Sequence, residues 1–146
     1  MKRIFILIVL SVVLFSFVGC NGKAAVASDI QNNDKISTHG GYFYMKQDEA
    51  NRNMKEDKSI VLVDVRTQEE YADVHIPGSI LIPLDTIKKE AEKKLTDKEA
   101  TIYVYCRSGN RSDSAAKVLV ELGYTKVYNI GGITSWPYET EKGGSN

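Results

Sequence analysis

The sequence predicts an α/β domain: a central, mostly parallel sheet with helices on both faces. Two runs, Ile60-Val61-Leu62-Val63 and Thr101-Ile102-Tyr103-Val104-Tyr105, have the unbroken apolar character of strands buried on both sides. Helical patterns stand between and after them, and strands alternating with helices form parallel sheets. Ligands of such sheets bind beyond the carboxyl ends of the strands, and Cys106 immediately follows the second run.

The elements follow in order. Tyr42 to Met45 is a short aromatic strand, and Gln47 to Glu56 a polar helix with Ala50 and Met54 at helical spacing. After the Ile60–Val63 strand, Thr67-Gln68-Glu69-Glu70 is a capping-box pattern that starts a short helix through Asp73 or Val74. Pro77-Gly78 breaks the chain, and Ser79 to Ile82 is a brief strand. Asp85 is read as the N-cap of a charged helix ending near Leu95, with Ile87, Ala91 and Leu95 along one face. Beyond the Thr101–Tyr105 strand, Ser112 to Leu122 is a helix stopped by Gly123. Lys126 to Ile130 is the last strand, and Ile133 to Tyr138, after Gly131-Gly132, is one further helical turn.

The chain's 146 residues, 42% hydrophobic and 26% charged, suit one domain. Its 19 Lys+Arg balance its 19 Asp+Glu, so no basic excess points to nucleic acid. Two cysteines, Cys20 and Cys106, rule out a disulfide scaffold, and two histidines, His39 and His75, give no histidine-built metal site.

The amino terminus reads as an address. Lys2 and Arg3 precede an apolar run from Ile4 to Val18 interrupted only by Ser11 and Ser16, a charged n-region followed by an h-region. The run is short of the roughly 20 residues of a permanent spanning helix. It ends in Phe17-Val18-Gly19-Cys20, which resembles the lipobox of bacterial lipoproteins, with Phe17 where Leu is usual. The resemblance implies removal of residues 1–19 as a signal peptide, a lipid on Cys20, and export to a bacterial membrane with the protein facing outside the cytoplasm. An uncleaved anchor, or secretion with Cys20 free, are the alternatives. Without Lys2 and Arg3 the 19 basic residues fall to 17 against 19 acidic ones. Residues 20–41 read as a flexible tether with a reach of roughly 25 Å; His39 is taken as a linker residue and 141–146 as a disordered tail.

With Cys20 lipidated, Cys106 has no partner, and its surroundings give an unpaired thiol work to do. Cys106-Arg107-Ser108-Gly109-Asn110-Arg111 leaves a strand and enters a helix, with Gly109 free to take positive φ. Consecutive loop N–H groups and a helix N-terminus form an anion nest, and Arg107 and Arg111 add two charges. All favour a thiolate nucleophile over an inert buried thiol.

At these residues the sequence resembles the rhodanese family of sulfurtransferases, whose loop often reads Cys-Arg-Ser-Gly-x-Arg. Asp64-Val65-Arg66, Glu70-Tyr71, His75-Ile76-Pro77-Gly78-Ser79-Ile80 and Pro83 look like its first signature, and Gly131-Gly132-Ile133 with Trp136 like its closing one. The resemblance covers 42–140 and implies a rhodanese-like domain. It implies that Cys106 takes a sulfane sulfur from a donor anion such as thiosulfate and passes it to a thiophilic acceptor, cyanide or a thiol. In this reading Arg107 and Arg111 bind the leaving sulfite, and no metal or organic cofactor is implied. A sulfur-binding or protein-interaction module without turnover is the alternative. A Cys-dependent phosphatase or arsenate reductase is disfavoured, because phosphatases on this fold carry a Cys-x5-Arg loop and this one is Cys106-x4-Arg111.

Asp64 and Arg66 are expected to brace the active loop as an ion pair, and His75 to fix the Pro77-Gly78 turn by hydrogen bonding. Trp136 is read as packing, and Glu69, Glu70 and the Lys88–Lys94 run as solvated helix faces and capping.

Overall fold

The structure, a computed structural model, describes residues 38–143. Six strands form one sheet in the order β1-β2-β6-β5-β3-β4: β1 Thr38–His39, β2 Tyr42–Tyr44, β3 Val61–Asp64, β4 Ile80–Leu81, β5 Thr101–Cys106 and β6 Lys126–Gly132. Only the β1–β2 pair is antiparallel, so the central strands need crossovers. These are supplied by α1 Gln47–Glu56, α2 Gln68–Asp73, α3 Ile87–Lys94 and α4 Asn110–Glu121.

Strand alternation divides the core. Val63, Ile102, Val104, Cys106 and Val127 face Ile87 and Ala91 of α3 and Ala115, Ala116 and Leu119 of α4. Leu62, Tyr103, Tyr105 and Ile130 face the other way, onto Ala50 of α1, Ile76 and Trp136. Cys106 shares the parity of Ile102 and Val104, which turns it toward the start of α4. Each fully buried large side chain contributes about 1.5–3 kcal/mol, and both faces of β3 and β5 are so occupied.

Several boundaries differ from the sequence reading. Asp85 does not cap α3: the N-cap is Thr86, with no side-chain cap bond, because Pro83 to Thr86 closes a turn through a Thr86 N–H donated to Pro83 O at 2.9 Å. The fourth helix begins at Asn110 rather than Ser112, since Gly109 at φ +106° is the turn residue on which it starts. The last strand continues to Gly132, and only Ile133–Ser135 is helical after it, as a 3₁₀ turn.

At the domain's edges, the expected 1–19 signal peptide and most of the expected 20–41 tether lie outside the described residues. Its final residues are not tether: Thr38–His39 pair with Phe43 and Tyr42, so His39 lies in a strand. Residues 141–143, expected in the tail, are tied to the domain: Glu141 pairs with His75 through both backbone groups at 2.9 Å, and Gly143 N–H bonds Ala72 O at 2.8 Å. His75 is hydrogen-bonded, but to α2 and Glu141 rather than to the Pro77-Gly78 turn: Nδ1 lies 2.9 Å from Tyr71 O, Nε2 lies 3.1 Å from Glu141 Oε1, and its ring stacks on Tyr71.

Candidate active site

Cys106 ends β5 in the middle of the sheet, and its residue is 1% exposed. The register shift between Val104 and Cys106 sets it opposite Gly132. The chain then turns through Arg107-Ser108-Gly109 into α4, and the left-handed Gly109 brings its own N–H back to within 3.1 Å of Sγ.

The floor of this turn is β6. A Cβ on Gly132 would stand 2.3 Å from Arg107 O and 2.5 Å from Ser108 Cα. The loop backbone therefore lies directly on the Gly132 backbone. Thr134 clamps it there, donating its N–H and its hydroxyl to Arg107 O at 3.2 and 2.9 Å.

Burial pushes the Cys106 thiol up, but the N–H and O–H of Ser112 and the N–H groups of Gly109 and Ser108 outweigh it, so the net shift is downward. The donors that favour thiolate are thus largely the loop's own. In the sequence Ser112 is no more than the start of a helix. Its buried hydroxyl also lies 2.8 Å from both Gly109 O and Asn129 Oδ1. Asn129 in turn accepts the Gly131 N–H at 2.9 Å. With one proton and several acceptors, the Ser112 hydroxyl is free to turn to sulfur when sulfur carries charge. Ser112→Ala is expected to move the pH profile of Cys106 alkylation by iodoacetamide to higher pH and to slow alkylation at pH 7 by about three- to tenfold; an unmoved profile contradicts the role.

Arg111 and Arg107, predicted as twins, differ. Arg111 Nη1 and Nη2 donate to Glu70 Oε2 and Oε1 at 2.6 and 2.7 Å, a bidentate pair. Arg107 is exposed, and its side chain has no ion pair or hydrogen bond among the described residues. Glu70, expected only as a cap on a solvated face, does both jobs. It completes the α2 capping box with Thr67, whose hydroxyl accepts the Glu70 N–H, and it holds Arg111. Glu69 remains exposed, as expected. Ser108 and Asn110 are exposed on the loop rim.

The Arg111 hydrogen bonds, together with the Thr67 N–H and against the opposing effect of burial, hold the Glu70 carboxyl down to about 2 from its ordinary 4.5. A carboxylate depressed by folding stabilises above its unfolded pKa, and that stability is lost as pH falls through the folded one. Glu70→Gln should therefore cost on the order of 1–3 kcal/mol at pH 7 after allowance for partial exposure. Its gap from the parent in urea midpoint should narrow steadily between pH 4.5 and the acid limit; a constant gap contradicts the assignment.

Asp64 and Arg66 form the expected pair, but they reach the active loop indirectly. Arg66 Nη2 donates to Asp64 Oδ2 and to Val74 O, both at 2.6 Å, and both side chains are buried. The pair ties the end of β3 to the end of α2, the helix that carries Glu70.

A parallel α/β sheet with a cysteine-led, arginine-closed loop at its carboxyl edge defines the class: the chain belongs to the rhodanese-like domain family, whose model matches residues 46–138. Among particular relatives, the thiosulfate sulfurtransferase PspE of Escherichia coli (strain K12) is 42% identical over 71 residues, 49% of this chain and 68% of that protein. The adenylyltransferase and sulfurtransferase uba4 of Ogataea parapolymorpha is 47% identical over 76 residues, 51% of this chain and 19% of that larger protein. A solved E. coli structure described as a rhodanese with anions aligns at a TM-score of 0.55 and 38% identity, covering 57% of this chain and 99% of its own.

Proposed function

We propose that this protein is a sulfurtransferase that carries a sulfane sulfur on Cys106. The observation that carries the reading is the sulfur's setting: a buried thiol pushed toward thiolate by the donors of a tight Cys-x4-Arg loop. The Cys106 thiolate attacks the outer sulfur of thiosulfate. The S–S bond of the donor breaks, its electron pair leaves with sulfite, and Cys106 becomes a persulfide anion held by the loop N–H groups. Charge balances on both sides, so the step needs no general base. Arg107, exposed and unpaired, is the residue available to meet the incoming dianion and the leaving sulfite, whereas Arg111 is occupied by Glu70. The naming of PspE as a thiosulfate sulfurtransferase supports this choice of donor, and the anions in the description of the E. coli rhodanese structure support an anionic one.

The test is to treat the purified full-length chain with thiosulfate, remove the donor and weigh the intact protein. A gain of one sulfur atom, removed by cyanide and not acquired by Cys106→Ser, supports the reading. Loading that no acceptor discharges leaves a sulfur-binding module. No gain on a reactive thiol rejects sulfur transfer altogether, and Cys106-dependent hydrolysis of an aryl phosphate selects the phosphatase instead.

We also infer that Cys20 is lipidated and holds the protein on the outer side of a bacterial membrane. The n-region, the Ile4–Val18 run and the lipobox-like Phe17-Val18-Gly19-Cys20 support this. Two or three acyl chains at about 0.8 kcal/mol per buried methylene bind far more firmly than one. In a bacterial host, incorporation of labelled palmitate that Cys20→Ala abolishes is the expected result, and equal labelling of both chains refutes it.

A further inference from the structure

Beside the catalytic loop, beyond the carboxyl ends of β3 and β4, lies a cavity of about 600 Å3. That size is within the usual range for small-molecule sites. Val65, Pro83 and Leu84 supply an apolar surface, Arg111 closes the side toward Cys106, and Glu69 and Asp85 stand at the rim. β3 and β5 are adjacent strands in parallel register, so a molecule in the cavity sits next to the end of β5, where Cys106 lies. Arg111 spans the two places: it lines the cavity and feels the charge of Cys106.

The charges around this cavity are unequal. Both arginines that line it are neutralised locally, Arg111 by Glu70 and the buried Arg66 by Asp64. Glu69 and Asp85 are exposed, and neither pairs with a cation among the described residues. The mouth is therefore net negative over an apolar surface. It repels an anionic donor, which is met instead by the free Arg107 on the loop. It suits a small molecule with an alkyl body and no negative charge.

We propose that this cavity is the acceptor subsite, and that the acceptor is an uncharged or cationic alkyl thiol. The inference rests on the sulfurtransferase reading and deepens it. In the second half-reaction the acceptor's thiol proton passes to the terminal sulfur of the Cys106 persulfide. The acceptor sulfur then attacks that terminal sulfur, and the S–S bond to Cys106 breaks with its electron pair returning to Sγ. The products are the acceptor persulfide and the Cys106 thiolate, with no oxidant or reductant required. Donor and acceptor thus meet different charged groups, Arg107 for the one and the Glu69–Asp85 rim for the other.

The experiment is a single-turnover discharge of thiosulfate-loaded protein, followed by intact mass, with 2-mercaptoethanol, cysteamine and 3-mercaptopropionate compared at equal thiolate concentration. The neutral and cationic thiols should discharge the persulfide about five- to tenfold faster than the anionic one. In a homologous series of neutral alkyl thiols the rate should rise about three- to fourfold per methylene until the cavity is filled. The double variant Glu69→Lys, Asp85→Lys should reverse the charge order, its loading by thiosulfate reporting on the same samples that the site is intact. Equal rates for all three thiols, or an unchanged order in the double variant, overturn the acceptor subsite while leaving the sulfurtransferase standing. Failure of the parent chain to load overturns both.

Discussion

Gly132→Ala is expected to slow the loading of Cys106 by thiosulfate about a hundredfold. The backbone of Gly132 is extended, at φ −125° and ψ 145°, a conformation open to any residue. What the position forbids is volume. A methyl group there would lie 2.3 Å from Arg107 O, 2.5 Å from Ser108 Cα and 2.7 Å from Arg107 C, all of them backbone atoms that cannot swing aside. The loop must lift by roughly an ångström, enough to lose about a hundredfold in an aligned reaction. Lifting carries away the Thr134 clamp on Arg107 O and the 3.1 Å contact of the Gly109 N–H with Sγ. The overpacking itself should cost about 1–3 kcal/mol, a loss a domain of this size survives. Loading followed by intact mass, beside a urea titration, separates the two effects; a loading rate within twofold of the parent on a folded variant contradicts the packing argument.

Arg66→Met should be the most destabilising single change at the carboxyl edge, by about 3–5 kcal/mol. Asp64 is 0% exposed and Arg66 3%, and Arg66 supplies Asp64 with three side-chain contacts of 2.6 to 3.0 Å. Removing the guanidinium leaves a buried carboxylate with the Arg66 backbone N–H at 2.9 Å and the neighbouring Tyr105 hydroxyl, and strips Val74 O of its donor. Most of that cost is the stranded charge rather than the worth of the pair. The double variant Asp64→Leu, Arg66→Met should therefore recover a large part of it. A midpoint for the double variant lower than for Arg66→Met alone contradicts this account. Both changes also loosen the end of α2, so the Glu70–Arg111 pair should weaken with them.

The parts of this protein that are local in the chain were legible from residues alone. The apolar runs of β3 and β5 and the Thr67–Glu70 capping box come from neighbours a few positions apart. So does the positive φ of Gly109, a demand of the turn itself. Asp85 failed as a cap because Pro83 set a tight turn one residue beyond it, a competing local signal that outweighed a capping residue with no N–H in reach. Gly131-Gly132 stood out as a motif without its reason, since the Cβ that Gly132 must lack is judged against a loop met only in three dimensions.

Residues taken alone are thus enough for the α/β class and for a cysteine-led loop at the carboxyl end of a strand. The tertiary structure decided how the other groups divide the work. Glu70 and Arg111 are 41 positions apart, and Ser112 and Asn129 are 17 apart. Neither pairing has a periodicity to announce it. Two arginines flanking one cysteine are equivalent on paper; the crossover that lays α2 beside the start of α4 neutralises one and leaves the other free. The charge a site presents is the sum of side chains that remain unpaired after folding, and that sum is set by the register of strands and the packing of helices across the sheet.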